Sequence, residues 1–398
     1  MPWGERSIMS LRREFVMLAR AEGANIRELC RRYGVQPRIG YKWLARYARE
    51  GEAGLADRSR RPKRSPLKTG AESEAKVVAL RRQHPCWGGR KLRRRLVELG
   101  ESEVPSASAI TAILHRHGLI APEASGKAGP FQRFERAWPN ELWQMDFKGH
   151  FAVLNGRCHP LTVLDDHSRY ALGIEACGDE QDPTVRGRLV PIFRRYGLPY
   201  AMLMDNGSPW GDSGREGFTM LTAWLIRLGV RVIHGRPYHP QTQGKDERFH
   251  RTLKGEVLNG RSFRDLGECQ RAFDRWRHVY NHERPHEALE LATPITRYRP
   301  SPRSFPEQLP EIEYGPGDLV RKTDGDGFIG FKNRRWRVGK AFRRQPVALR
   351  HTSQDGVFAV YFCTQPIGTI DLGAACGLVD IAPAIPTTPQ AQQPQPKS

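Results

Sequence analysis

The chain has no uninterrupted apolar stretch of about 18 residues, the minimum for a membrane-spanning helix. Its first residues carry charge at Glu5, Arg6, Arg12, Arg13 and Glu14, which argues against a signal peptide. Cysteine is sparse and scattered: the seven stand at 30, 86, 158, 177, 269, 363 and 376, with no close pair at metal-ligand spacing. This pattern excludes a zinc ribbon or a disulfide framework and reads as reduced thiols in a cytoplasmic protein. Acid is in short supply. Against 64 Lys and Arg stand 43 Asp and Glu, giving a formal net charge of +21 and a pI of about 10.1. Such a balance calls for a polyanionic partner, nucleic acid above all, with a membrane surface as the rival. The 398 residues allow two to four domains, each with its own core.

Three of the few acids sit where apolar or sharply turning sequence surrounds them. Leu142-Trp143-Gln144-Met145-Asp146-Phe147 reads as an alternating strand carrying one carboxylate. Ala201-Met202-Leu203-Met204-Asp205-Asn206-Gly207 reads as an apolar strand ending in an Asp and a turn. Tyr238 to Phe249 is a polar loop running into a helix that carries Glu247. Two unit charges about 4 Å apart repel by roughly 4 kcal/mol at an effective dielectric of about 20, so three ionised carboxylates cannot share a site unaided. Either their pKa values rise or cations neutralise them. Hard oxygen ligands favour Mg²⁺, with Mn²⁺ as a substitute. Two such ions about 3.5–4 Å apart clamp the attacking and leaving oxygens of an in-line phosphoryl transfer.

These segments, together with Leu161-Thr162-Val163-Leu164-Asp165-Asp166-His167-Ser168-Arg169, Tyr238–Leu253 and Tyr280-Asn281-His282-Glu283-Arg284-Pro285-His286-Glu287-Ala288-Leu289, resemble the integrase core of DDE-type insertion-sequence transposases, the branch related to retroviral integrases. The resemblance covers about 150 residues, and the order of the motifs is more specific than any one of them. It implies a ribonuclease-H-like core, with Asp146, Asp205 and Glu247 as both catalytic residues and metal ligands. It further implies two Mg²⁺ or Mn²⁺ ions, double-stranded DNA as partner, and self-association in the complex that joins two element ends. Two departures stand out. Asp205 and Glu247 lie 42 positions apart, more than the common spacing, and the polar loop Trp210–Gly217 accounts for the excess. The zinc-binding His/Cys domain that opens retroviral integrases is also missing here.

The fold expected is multidomain: all-α helix-turn-helix modules, an α/β core with a mixed sheet, and a small SH3-like β-barrel. Residues 1–56 read as a helix-turn-helix domain with helices at Leu11–Ala21, Ile26–Tyr33 and Gln36–Glu50, Asn25 as N-cap and Pro37 in the last helix's first turn. Leu29, Cys30, Val35, Trp43 and Leu44 would make its core, and Gln36, Arg38 and Lys42 would reach DNA. A basic three-helix module that binds protein is the alternative. Residues 57–70 form a basic linker with Arg60, Arg61 and Arg64, lying along phosphates or serving as a solvated spacer. Residues 71–120 read as a second helical, winged-helix-like DNA-binding domain, with Ser106 as an N-cap and Arg90, Lys91 and Arg94 as contacts. Residues 121–140 are a linker whose Phe134 and Trp138 would dock on the core, and 141–300 are the core itself.

Within the core, strands are expected at Cys158–Leu164, Ser168–Ala176 and Val230–His234, and helices at Pro183–Tyr196, Gly217–Leu228 and Gly244–Leu258. Asp165 and Asp166 fall at a hairpin tip, where Asp ordinarily satisfies a turn. Arg251 and Lys254 follow Glu247 at +4 and +7 on one helix face and suit phosphate, while His239 and Gln243 in the preceding loop would grip DNA ends. Arg284-Pro285-His286 reads as packing. Six short strands between 311 and 375 make the barrel, binding DNA or protein, and 382–398 are a Pro- and Gln-rich tail. The function expected is a nucleoid-associated transposase that binds the terminal inverted repeats of a mobile element and carries out metal-dependent cleavage and strand transfer. A non-transposing nuclease, or a DNA-binding regulator with an inert core, is the alternative.

Overall fold

The computed structural model describes residues 8–58, 69–120, 135–211, 217–235 and 244–374. These fall into two compact units, Met1–Lys68 and Thr69–Ser398. Arg60, Arg61, Arg64, Phe134, His239, Gln243 and the tail 382–398 lie outside the described residues.

The first unit is three helices: α1 (Ile8–Ala19), α2 (Ile26–Arg32) and α3 (Pro37–Glu50). Asn25 caps α2 as its side chain accepts from Glu28 N at 3.2 Å. Gly34, at φ +63°, makes the turn into α3, which opens on Pro37. The core is Phe15, Val16, Cys30, Trp43 and Leu55, with Leu29, Val35 and Leu44 half-buried around it. Gly40 is required by close packing: a Cβ there would stand 2.5 Å from Cys30 Sγ and 2.8 Å from Phe15 Cζ.

The second unit begins with α4 (Ala71–Gln83), α5 (Gly89–Glu98) and α6 (Ala107–Arg116), the last capped by Ser106 accepting from Ala109 N. No wing strand accompanies them among the described residues. This helical module shares one compact unit with the core rather than standing alone. Arg95 Nη2 donates to Glu283 Oε2 at 2.7 Å, and Val279 packs on the apolar cluster of Val77, Leu92, Ile110 and Leu114.

The core sheet contains β1 (Trp143–Phe147), β2 (Phe151–Val153), β3 (Gly156–Asp165), β4 (Ala171–Cys177), β5 (Ala201–Met204) and β6 (Arg231–His234). β4 pairs with β3, β3 with β1, β1 with β5 and β5 with β6, the last two pairings parallel and the others antiparallel. Five strands in this order are the ribonuclease-H-like arrangement, and α7 (Asp182–Tyr196), α8 (Met220–Arg227), α9 (Gly244–Leu253) and α10 (Leu266–His282) complete the core. The stripe Cys269, Phe273, Trp276 and Tyr280 on α10 is buried against the sheet, with Leu266 half-buried beside it.

Several boundaries differ from expectation for local reasons. β4 starts at Ala171 rather than Ser168, because Asp165 draws Ser168 N and Oγ into a tight turn and Arg169 takes φ +63°. α9 is regular only to Leu253 and continues as a π-helical turn, Lys254–Leu258, where Glu256 accepts from Trp276 Nε1 at 2.8 Å and Arg284 Nε at 3.1 Å. α8 starts at Met220, where Thr219 and Thr222 cap each other. Trp138 does not dock: it is 72% exposed.

The C-terminal strands are β7 (Leu319–Lys322), β8 (Phe328–Phe331), β9 (Arg334–Arg337), β10 (Pro346–His351), β11 (Val357–Phe362) and β12 (Gln365–Asp371). Hydrogen bonding among the described residues draws them as a four-stranded sheet, β12-β11-β10-β7, and a separate β8-β9 hairpin, not as one closed barrel. The hairpin turns on Lys332 and Asn333, both at positive φ, as a tight two-residue turn requires. This part is joined to the core sheet at an edge. The Gln365 side chain accepts from Val232 N at 2.9 Å and donates to Val232 O at 3.0 Å, covering the open side of β6.

Candidate active site

The register of β1 against β5 places the two aspartates. Trp143 pairs with Met202 and Gln144 with Leu203 in parallel, so two residues further on Asp146 and Asp205 stand level at the carboxyl ends of neighbouring strands. Adjacent strands are about 4.8 Å apart, so the two carboxyls share one place. Asp205 lies one residue past the end of β5, where Gly207 N donates to its Oδ1 at 3.0 Å and its carbonyl lies 2.9 Å from His234 Nδ1. Burial, and then the charge of Asp205, push the Asp146 carboxyl up to about 7. This is the frustration expected of two acids in one poorly hydrated site.

Glu247 does not join them in this arrangement. It is exposed in the first turn of α9, and among the described residues no three His, Cys, Asp or Glu side chains gather as a metal cage. The helix is nonetheless oriented as its sequence pattern implies. Asp246, Phe249, Leu253 and Val257 face inward, while Glu247, Arg251 and Lys254 are exposed. Asp246 is 3% exposed and its Oδ1 has no hydrogen-bond partner. Burial, then Asp146 and Asp166, raise its pKa well above the ordinary range.

The Asp165-Asp166 pair is structural. Asp165 accepts from Asn140 N, Ser168 N and Ser168 Oγ, and Asp166 from Arg136 N and Gln144 Nε2. Lys245 closes on Asp166 as a buried ion pair, tying the start of α9 to the end of β3.

Three residues around Asp146 do not stand out in the sequence. His250 presents Nδ1 to Asp146 Oδ2 at 4.0 Å and Nε2 to Thr162 Oγ1 at 2.8 Å, and burial lowers its pKa to about 4, so the ring is neutral. Lys148 stands close enough to His250 and to Lys254 for their charges to interact. His250 is three residues after Glu247, but amid Arg248, Arg251 and Lys254 it passes for one more basic surface residue.

Of the expected DNA contacts, Gln36, Arg38 and Lys42 are exposed at the start of α3, in the first unit. In α5, Arg90 and Arg94 are exposed, the first 3.7 Å from Glu287 and the second paired with Glu98. Lys91 turns the other way. It is half-buried beside Arg284 and Glu256, and burial lowers it to about 8.

Comparison with known proteins agrees with this architecture. Residues 136–240 and 228–294 match integrase core domain families, 318–375 the IS481 family transposase C-terminal domain, 11–63 a helix-turn-helix domain and 39–114 a homeodomain-like domain. The chain is 30% identical over 157 residues to a 31.7 kDa protein of insertion element IS407 from Burkholderia multivorans, covering 39% of this chain and 54% of that protein. The chain thus spans about half the length of that relative. A 39.2 kDa protein of insertion element IS476 from Xanthomonas euvesicatoria is 27% identical over 255 residues, covering 61% of this chain and 69% of that one. The Gag-Pro-Pol polyprotein of squirrel monkey retrovirus is 29% identical over 119 residues, 30% of this chain and 6% of the polyprotein. Among solved structures, a simian T-cell lymphotropic virus intasome chain overlays with a TM-score of 0.36 at 16% identity, covering 71% of this chain and 91% of that chain. The HTLV-2 integrase catalytic core in complex with magnesium overlays at 0.32 and 13% identity, covering 41% and 99%. The chain thus matches integrase core domains and an IS481 family transposase C-terminal domain, and it is similar to proteins of insertion elements.

Proposed function

We propose that the protein binds the terminal inverted repeats of a mobile element and catalyses divalent-metal-dependent DNA cleavage and strand transfer. The observation that carries the reading is the Asp146–Asp205 pair, two acids level on adjacent strands with one carboxyl pushed up to about 7. Two hard carboxylates with few donors around them fit a hard divalent cation, Mg²⁺ or Mn²⁺, and two such ions are expected. Asp146 and Asp205 would hold them, with Glu247 completing the set from the first turn of α9. When bound, such ions neutralise phosphate charge and activate the attacking hydroxyl. Arg251 on α9 and Lys254 at the start of the following π-helical turn, exposed like Glu247, would hold the strand being cut. Gln36, Arg38 and Lys42, with Arg90 and Arg94, would read and grip the element end, with Arg60, Arg61, Arg64, His239 and Gln243 adding contacts. Self-association would bring two ends together.

The test is strand transfer from a pre-cut element end. Product should form with Mg²⁺ or Mn²⁺ and disappear with excess chelator. Robust transfer in chelator, or a protein band covalently linked to DNA, would overturn the reading. Equal affinity of the chain for element ends and random DNA at every salt concentration would remove the end-recognition part.

A further inference from the structure

Thr162 Oγ1 lies within hydrogen-bond distance of two groups, the carbonyl oxygen of Asp146 at 3.0 Å and His250 Nε2 at 2.8 Å. A carbonyl oxygen only accepts, so the hydroxyl gives its one proton there. The second contact is then a hydrogen bond only if Nε2–H donates to Oγ1. This places the proton on Nε2 and leaves Nδ1 as a bare lone pair. Nδ1 faces Asp146 Oδ2 at 4.0 Å, too far for a hydrogen bond between them. Two acceptors thus stand 4.0 Å apart without a proton between them, on side chains 14% and 26% exposed. Fixing one ring nitrogen by a hydrogen bond so that the other points at an ion is how proteins prepare histidine ligands.

We infer that His250 Nδ1 is a nitrogen ligand of the cation held by Asp146, which makes the site mixed nitrogen–oxygen. The inference rests on the metal-dependent reading of the Asp146–Asp205 pair and adds a ligand outside the three acids. Adjacent ligands of one octahedral ion bonded at about 2.1 Å are about 3 Å apart, so Nδ1 and Oδ2 close by about 1 Å on loading. Rotation of the Asp146 carboxyl supplies that movement. A nitrogen donor favours Mn²⁺ and later transition ions over Mg²⁺.

The experiment loads the full chain with Mn²⁺ and records pulsed electron paramagnetic resonance, which detects a directly bonded ¹⁴N. Wild type should show one imidazole nitrogen coupling. In His250→Asn it should vanish, and Mn²⁺ affinity should fall by about tenfold or more, with Mg²⁺ affinity falling less. Thr162→Val, which leaves the histidine but removes its anchor, should weaken the coupling without abolishing Mn²⁺ binding. Circular dichroism melting confirms that each variant is folded. Asp146→Asn separates the two levels of inference. If Mn²⁺ binds in an Asp146-dependent way but wild type shows no nitrogen coupling, His250 is not a ligand and the acid pair stands. If no Asp146-dependent Mn²⁺ binding is found, both readings fall.

Discussion

Two pairs of aspartates lie within one sheet and have opposite surroundings. Asp165 and Asp166 are fully buried, yet each is met by several donors, from backbone N–H groups, Ser168, Gln144 and Lys245. Asp146 and Asp205 are less buried and less well provided; burial and then Asp205 push the Asp146 carboxyl up, whereas at Asp165 burial also raises the carboxyl but donors from Ser168 and Asn140 oppose it. Burial therefore does not identify the functional acids. The supply of donors separates the two pairs: a carboxylate met by hydrogen bonds is stabilised as part of the scaffold, and one left to repel its neighbour is the kind a cation would neutralise.

The sharpest way to break this contrast is to neutralise each pair in turn. Asp146→Asn and Asp205→Asn should each reduce strand transfer by at least about 10²-fold, with DNA binding intact. Their thermal midpoints in metal-free buffer should equal or exceed that of wild type, because a repulsion is removed. Glu247→Gln should be as inactive and equally well folded. Substantial strand transfer by any of these three, assayed on a pre-cut end, removes that acid from the catalytic set.

The satisfied pair should respond in the opposite currency, stability. Asp166→Ala leaves the Lys245 ammonium buried without its partner and deprives Gln144 of an acceptor, so unfolding free energy should fall by about 3–5 kcal/mol. Denaturant titration measures it. A loss below about 1 kcal/mol would mean that the network is dispensable and the contrast between the pairs is weaker than drawn.

Asp246 sharpens the comparison because it breaks the rule. It is buried like Asp165 and Asp166 and under-supplied like Asp146, with Oδ1 unpartnered. It lies on the inward stripe of α9, on the side away from the exposed Glu247. Asp246→Val should retain strand transfer and stabilise the chain by about 1–3 kcal/mol. If Asp246→Asn is folded and inactive while Glu247→Gln still transfers strands, the third acid is assigned one residue too late.

The placement of Asp146 and Asp205 at neighbouring strand ends was legible in the sequence, because alternation around Asp146 and the Asp205-Asn206-Gly207 turn each fix an element end. Caps at Asn25 and Ser106, and the shared exposed side of Glu247, Arg251 and Lys254, were legible for the same reason: local pattern decides them. What was not legible depends on partners distant in sequence. The π-helical turn follows from Glu256 meeting Trp276 and Arg284, and the inward turn of Lys91 from module and core sharing one unit. His250 needed Thr162, 88 residues away, to show itself. In the C-terminal part, strand spacing gave the six strands but not which ladders form, a four-stranded sheet and a hairpin.

The smallest effect concerns His286, a buried histidine outside the acid site, and its sign can be worked out. Burial first, then the charge of Arg284, Lys91 and Arg169, holds its pKa well below the ordinary value of 6.5, opposed by its contact of 3.3 Å with Tyr280 O. Tyr280 lies edge-on to the ring at 4.6 Å, so no carboxylate shelters it on that side. The folded chain therefore refuses a proton that the unfolded chain accepts below about 6.5. Where the unfolded state binds more protons, stability falls as pH falls. From about pH 7 to about pH 5.5 this one group should remove about 1 kcal/mol, a share that His286→Gln, which can still donate to the Tyr280 carbonyl, should abolish. His84, His250 and His282 are lowered too and contribute the same sign, so the measured quantity is the difference between wild type and variant across that window. Parallel stability curves for the two chains would show that His286 titrates alike in both states and that the segment closing the core is wetter than its packing implies.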